Sequence, residues 1–447
     1  MDVIICGGGS IGGSAAQVLA NAGDAVTVIE SDDQQADDLA EHLDVAIVHG
    51  VASASHVLRQ AGVATADAVI ATTASDEVNL VCCALARALG ASRTMARVDH
   101  SGLLRDSDLD YASLFGVSRL FSPDRALART MAARLRNPEA SAIEQFGGGI
   151  EMQQFAVDPA SDACGERLRD VQMPAGTRLA AVCRDGHTQL PTAQTRLCAG
   201  DEVLLVAQQD AMDAAHALLG SPSLGRRQIA IYGSAPSAMW LCRALGPAAF
   251  DIRVFEPDHD RATWVSEQLD FVTVLCADPA KPEVFDDEHL EQVDAFISTC
   301  SDEQNLLACG HAARMGVHHV LPVLHRNEFA PLLEKLGITE TFNPQTAAVR
   351  EIRRFLHATT FEPLQFGGDG LLLMRAPLGD NATMCGVPLR DVHMHPPVVI
   401  VAAERSDGTA FVPGPDSVLV PGRRVLAIST TDTEDHLRQL FDIRATS

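Results

Sequence analysis

The chain has 447 residues, several times the ordinary domain of about 150, so more than one domain follows. A net charge of −25 excludes nucleic acid and anionic lipid as broad partners, and 47% hydrophobic residues suffice for full cores, which 4% aromatics make aliphatic and alanine-rich. No 18 apolar residues run together, and the first residues enter a strand at once, so neither a membrane span nor a signal peptide is expected.

Val3-Ile4-Ile5-Cys6 is an apolar run of strand length, followed by Gly7-Gly8-Gly9-Ser10-Ile11-Gly12, a G-x-G-x-x-G. Ala15, Ala16, Val18 and Leu19 then recur at helical spacing up to Asn21-Ala22-Gly23, and a second apolar run, Ala25 to Ile29, ends in Glu30. In such a strand–turn–helix–strand unit Gly7 allows the tight turn, Gly9 the approach of a pyrophosphate and Gly12 close packing of helix on strand. The first-turn N–H groups of the helix face the phosphates. Glu30 accepts from a ribose hydroxyl pair and repels a 2′-phosphate, which disfavours NADP but does not separate NAD from ATP or ADP.

Further on, helices are expected over Asp32–Leu43 and Ser53–Gln60, and strands over Val45–Val48 and Ala68–Ala71. The loop Thr72 to Glu77 leads into an apolar helix, Val78–Leu89, with Ser75 as its N-cap. Strand Thr94–Val98 and the long helix Asp124–Leu135 complete a doubly wound parallel sheet. Past Asn137-Pro138 a small α+β domain is read, with strands Met152–Val157, Arg178–Arg184 and Val203–Val206 and helices Gly165–Val171 and Asp210–Leu219. Gly147-Gly148-Gly149 and Gly367-Gly368 read as hinges between domains, and Ser221 to Gly225 as a linker.

After the linker the plan repeats. Gly7 and Gly233, Glu30 and Glu256, Asp76 and Asp302, and Asn79 and Asn305 are each 226 apart (233 − 7), and Leu168-Arg169-Asp170-Val171 returns as Leu389-Arg390-Asp391-Val392. The chain is thus a tandem duplication, with domains expected at 1–136, 137–222, 226–356 and 357–447. The second turn, Tyr232-Gly233-Ser234-Ala235-Pro236-Ser237-Ala238, keeps Gly233 and Glu256 but carries Cβ atoms at Ala235 and Ala238 and loses an N–H at Pro236, so it reads either as a weak nucleotide site on Gly233 and Glu256 or as a degenerate, structural lobe.

Among other constellations, His318-His319 and His393-Met394-His395 lack the convergent ligands of a metal site. Asp32-Asp33, Asp37-Asp38 and Asp286-Asp287-Glu288 read as solvated helix faces, and Cys82-Cys83 as core packing. The eleven cysteines show no C-x-x-C spacing and read as reduced thiols.

Together, Ile4 to Gly13, Val28-Ile29-Glu30, Val48 to Ser53, Thr73 to Asn79, Ala96-Arg97-Val98, Leu168 to Val171 and Ala199-Gly200-Asp201-Glu202-Val203 resemble the RCK (KTN) family of potassium-transport regulators, over essentially the whole chain. The resemblance implies Rossmann-like lobes, each followed by a small α+β lobe. It implies a non-enzymatic cytoplasmic subunit, peripheral on the inner face of the membrane. The subunit would bind NAD(H), with ATP or ADP at the same site, and assemble as a homo-oligomeric, tetrameric ring on a Trk-type potassium channel subunit. By that resemblance Gly7, Gly8, Gly9, Ser10, Ile11 and Gly12 cradle phosphates, Glu30 holds the ribose, Thr72, Thr73, Ala74 and Asp76 belong to the cofactor site from the facing loop, with Thr73 and Ala74 lining the adenine or phosphate side, and Arg97 contacts phosphate. Asp99 departs from the second Arg that relatives often carry. The competing reading, an NAD-dependent oxidoreductase, needs an acid or base beside the nicotinamide, and neither small lobe offers an obvious one.

Overall fold

The computed structural model describes residues 1–105, 109–136, 142–146, 149–220, 226–357, 360–366, 370–392, 394, 398–405, 409–430 and 433–443. They form two compact units, one of residues 1–132 with 226–356 and one of 133–225 with 357–447.

The first unit holds two doubly wound lobes. The first lobe runs β1 (Asp2–Cys6), α1 (Ser10–Asn21), β2 (Ala25–Glu30), α2 (Asp33–His42), β3 (Ala46–His49), α3 (Ser55–Gln60), β4 (Ala68–Ala71), α4 (Asp76–Ala88), β5 (Thr94–Arg97), α5 (Gly102–Arg105), α6 (Tyr111–Leu114), β6 (Arg119–Phe121) and α7 (Pro123–Arg136). Its strands are parallel in the order β3-β2-β1-β4-β5-β6, so the winding reverses between β1 and β4. Covered on both faces, β4 is apolar throughout and β1 is apolar after its exposed first residue, Asp2, and Ile5 and Ile70 are fully buried. Ser75 caps α4 by accepting from the Val78 N–H at 3.2 Å, as its sequence suggests. The elements α5, α6 and β6 carry no clear periodicity and are additions to the sequence reading.

The second lobe repeats the plan: β12 (Arg227–Tyr232), α9 (Pro236–Leu245), β13 (Phe250–Phe255), α10 (His259–Gln268), β14 (Thr273–Leu275), α11 (Pro282–Asp287), β15 (Ala295–Ser298), α12 (Asp302–Arg314), β16 (His319–Pro322), α13 (Ala330–Lys335) and α14 (Pro344–Leu356). Its parallel strands order as β14-β13-β12-β15-β16.

The last helix of each lobe crosses to the other lobe. Ala348, Val349, Ile352, Phe355 and Leu356 of α14 share one apolar cluster with Val3, Ile5, Ala15, Ala16 and Leu19 of the first lobe. At its rim Arg119 Nη2 lies 2.7 Å from Glu351 Oε2, and Arg93 donates to the Leu356 carbonyl at 2.8 Å. Reciprocally, the Arg125 guanidinium of α7 lies over the Trp240 ring of α9, 5.2 Å from its centroid.

The second unit holds two antiparallel sheets. One contains β7 (Ala142–Phe146), β8 (Ile150–Ala156), β9 (Thr177–Arg184), β10 (His187–Gln189) and β11 (Glu202–Gln208), followed by α8 (Gln209–Leu219). The other contains β17 (Thr360–Gln365), β18 (Gly370–Pro377), β19 (Val399–Glu404), β20 (Ala410–Phe411) and β21 (Arg424–Thr430), followed by α15 (Glu434–Leu440). Their inner faces share one cluster that includes Ile150, Met152, Val206, Leu371, Val401 and Ile428.

Two expectations are corrected here. Residues 165–171 are not a helix: their N–H groups pair across to the 193–197 segment, Gly165 to the Leu197 carbonyl and Leu168 to the Thr195 carbonyl, both at 2.8 Å. The glycine runs join strands of one sheet instead of two domains, since β7 pairs antiparallel with β8 (Phe146 opposite Ile150) and β17 with β18. Gly147, Gly148, Gly367 and Gly368 themselves, like His393, His395 and the 221–225 linker, lie outside the described residues.

The crossing of α14 makes a testable demand. Ile352→Ala removes a fully buried side chain from the first lobe's core and should cost about 2–5 kcal/mol in urea unfolding. Glu351→Gln, which removes the rim ion pairs with Arg119 and Arg354 and leaves the shape unchanged, should cost about 1 kcal/mol.

Candidate functional site

The carboxyl ends of β1 and β4 flank the point where the winding reverses, the place where doubly wound sheets bind ligands. The glycine loop lies on one side and the Thr72–Asp76 loop on the other.

Two glycines of the first loop, Gly7 and Gly12, are required by the protein itself. Gly7 sits at φ +98°, in the left-handed region. A Cβ on Gly12 would lie 1.9 Å from the Gly7 carbonyl oxygen and 2.7 Å from Thr72 Oγ1, and one on Gly8 would lie 2.3 Å from Leu39 Cδ1. Gly9 differs. Its φ of −57° suits any residue, and a Cβ there would meet nothing within 4 Å. It stands at the N-cap of α1, where the first-turn N–H groups have no carbonyl partner within the helix. A cradle that a Cβ would fill, at the positive end of a helix dipole, fits a pyrophosphate.

Glu30 closes the β2 end of this cradle. It is 7% exposed and accepts from the Gly8 N–H at 2.6 Å, the Ser31 N–H at 2.6 Å and the Asp32 N–H at 2.9 Å. Burial pushes its carboxyl up, but the donors from Asp32, Gly8 and Ser31 outweigh that and hold it below the ordinary glutamate value. The Ser31 hydroxyl also donates to Oε1, at 3.3 Å, so Glu30 stays ionised and ties the glycine loop to β2, with Oε2 the oxygen that has acceptor capacity left for a hydroxyl.

The opposite loop is fastened from within. Thr72 Oγ1 donates to the Gly7 carbonyl at 3.0 Å, which links the two loops directly. Asn79, fully buried, accepts from the Thr73 N–H at 2.9 Å and from the Thr73 hydroxyl at 2.7 Å, and its amide donates to the carbonyls of Thr73 and Arg97, both at 3.0 Å. Asp76 accepts from the N–H groups of Asp99 and His100, each at 2.8 Å. The polar groups of Thr72 and Asp76 thus shape the crevice, while Thr73 and Ala74 present the loop. Arg97 is held by Asp99 in a two-pronged ion pair, Nε to Oδ1 at 3.0 Å and Nη2 to Oδ2 at 2.6 Å. The holding role of Asn79 escapes motif reading, although an amide in the first turn of an apolar helix, returning at Asn305, is its signal.

The second lobe keeps this scaffold. Asn305 accepts from the Cys300 N–H at 2.9 Å and donates to the carbonyls of Cys300 at 3.0 Å and Val323 at 2.6 Å. Asp302 accepts from the N–H groups of His325 and Arg326, each at 2.9 Å. The cradle differs. Ala235 is the N-cap and Pro236 the first helical residue of α9. Ser234 Oγ donates to Glu256 Oε2 at 2.5 Å, and Arg261 Nε donates to the same hydroxyl at 3.0 Å. Gly233, at φ +91°, retains its turn. Glu256 and the loop thus bind one another. Among the described residues no three His, Cys, Asp or Glu side chains converge as a metal site, and no helix is long and apolar enough to cross a membrane.

Comparison with known proteins agrees with this architecture. The TrkA-N domain pattern matches residues 3–123 and again 229–344, and the TrkA-C domain pattern matches residues 152–220. The Trk system potassium uptake protein TrkA homolog of Archaeoglobus fulgidus is 27% identical over 444 residues, 99% of this chain and 100% of the relative. The corresponding TrkA of Halomonas elongata is 30% identical over 356 residues, 78% of each chain. Two solved structures share the fold. The GsuK RCK domain aligns at TM-score 0.59 and 18% identity over 99% of this chain and 95% of its own. The GsuK channel bound to NAD aligns at 0.60 and 19% over 99% of this chain and 79% of its own. The chain, two TrkA-N lobes with their small antiparallel lobes, belongs to the TrkA family of Trk-system potassium uptake proteins.

Proposed function

We propose that the chain is a nucleotide-sensing regulatory subunit of a Trk-type potassium uptake system, with NAD(H) read by the first lobe and ADP or ATP competing for the same crevice. Gly9 carries this reading, as a glycine that neither its backbone angles nor its protein neighbours require. Gly7 to Gly12 bind the pyrophosphate through backbone N–H groups, Glu30 takes the ribose hydroxyls, and Thr73 and Ala74 cover the adenosine side. The four domains keep the boundaries 1–136, 137–222, 226–356 and 357–447. The relatives' names supply the potassium system, and GsuK, solved with NAD and with ADP, is a channel that carries the same fold.

The subunit acts without covalent chemistry. A ligand shifts a protein between two shapes only through its difference in affinity for them. The glycine loop and the Thr72–Asp76 loop face each other across the crevice, so a ligand that bridges them favours the shape in which they stand closer. A homo-oligomeric ring, tetrameric and peripheral on the cytoplasmic face of the membrane, passes that shape to the channel.

Calorimetric titration with NADH, NAD+, ADP and ATP tests the reading. Saturable binding at one site per chain is expected, and Gly9→Ala should abolish it while leaving thermal stability unchanged or raised by about 0.4–1 kcal/mol. Gly12→Ala, whose Cβ collides with the Gly7 carbonyl, should instead cost about 1–3 kcal/mol in denaturant unfolding. Failure of all four nucleotides to bind removes the sensor reading.

A further inference from the structure

Of the strands whose ends border the crevice, β1 ends at Cys6, β2 at Glu30, β4 at Ala71 and β5 at Arg97, so only β5 brings a basic side chain. That guanidinium is not left for a ligand. Asp99 grips it with both oxygens, at 3.0 and 2.6 Å, a geometry that satisfies carboxylate and fork together. The pair is partly sheltered, with the Arg97 side chain 22% and the Asp99 side chain 38% exposed. The backbone that carries Asp99 is held in place, because its own N–H and that of His100 are fixed by Asp76 at the start of α4. The surroundings are acidic as well. Burial and then the Asp99 charge push the Asp124 carboxyl up from its ordinary value, against the pull of Arg97, His325 and the Ser237 N–H.

We propose that Asp99 sets the ligand class of the first lobe, by holding Arg97 neutralised so that the crevice accepts a dinucleotide pyrophosphate and discriminates against a nucleoside triphosphate. The proposal rests on the nucleotide-sensing reading above. A dinucleotide places its pyrophosphate on the α1 N-terminus, and both phosphates are capped by sugars. ATP ends in a terminal phosphate with additional charge, which needs a cation where this crevice offers a closed ion pair. The acidic side chains nearby then repel that charge in a site where salt screens weakly. Asp99 is in this sense a specificity-determining residue that works through Arg97, with no need to touch the dinucleotide.

The test is a thermodynamic cycle on the full chain. NADH and ATP affinities, with and without Mg2+, are measured by calorimetry for the wild type, Asp99→Asn, Arg97→Gln and the double variant, and each fold is checked by thermal unfolding. The readout is the ratio of ATP to NADH affinity, which a merely structural role of Asp99 would leave unmoved. The wild type should prefer NADH by tenfold or more. Asp99→Asn, which keeps shape and backbone, should raise the ratio about tenfold by releasing Arg97, and the gain should disappear in the double variant. If the wild type binds ATP as tightly as NADH, if Asp99→Asn leaves the ratio unchanged, or if the gain survives loss of Arg97, the proposal is overturned while the sensor reading stands. If the wild type binds neither nucleotide, the sensor reading falls and this proposal falls with it.

Discussion

The contact between the Gly7 carbonyl and the Cα of Gly12 governs the first lobe. With no Cβ at residue 12 the start of α1 settles directly against the glycine turn, and Thr72 ties the same carbonyl to the end of β4. One close approach therefore fixes three things: the entry angle of the helix, the spacing across the reversal point of the sheet, and the direction of the first-turn N–H groups. The second lobe has Ala238 at the matching position, and its turn accommodates that methyl group. There the loop serine and the Arg261 side chain satisfy Glu256, so a carboxylate that faces a cradle in one lobe is bound into its own loop in the other.

The duplication separates scaffold from site within a single chain. Asn79 and Asn305 each staple the loop after the fourth strand to the strand beside it, and Asp76 and Asp302 each gather two N–H groups from the following loop. Both lobes need these contacts to hold a doubly wound sheet open at its carboxyl end. They differ in the glycine loop and at the end of the fifth strand. Gly9 gives way to Ala235, Ser10 to Pro236, and Arg97 with its Asp99 clamp to Val323 and His325. Such differences fall on groups that face the crevice, where the first lobe keeps a cradle and the second has closed on itself.

Much of this was legible in the sequence because glycine turns, capping residues and buried strands act locally. The run Ala68–Ala71 is a strand because every side chain on it is buried, and a continuous apolar tetrapeptide says so without context. The constant offset of 226 carried the duplication. Residues 165–171 misled because short apolar spacing beside Gly165 resembles a helix, while cross-pairing with a segment some thirty residues on is invisible locally. The glycine runs misled because a link between two paired strands and a hinge between domains draw on the same residue. The crossing of α14 was beyond reach for a different reason: periodicity shows that a helix buries one face, but not which sheet covers it. Likewise the grip of Asp99 on Arg97 depends on side-chain direction two residues apart at a strand end, which a residue list does not give.

Magnitudes decide how a ligand in the first lobe can be felt elsewhere in its unit. Val349, Ile352, Phe355 and Leu356 of α14 are buried on the first lobe, and at about 1.5–3 kcal/mol for each large side chain their contact is worth on the order of 10 kcal/mol. Ligand coupling energies run at about 1–3 kcal/mol. A nucleotide therefore cannot strip α14 from the lobe that it covers; α14 must travel with α1 as one packed body. What can yield at that scale are the rim contacts, the Arg119–Glu351 pair at about 1 kcal/mol or less and the charged Arg93 bond to the Leu356 carbonyl at about 1.5–3 kcal/mol. Since α14 belongs to the second lobe, a shift of α1 would be passed directly to that lobe through the shared apolar cluster. Exchange of the final helices thus joins the two lobes of this unit, the first lobe's core being closed by a helix of the second.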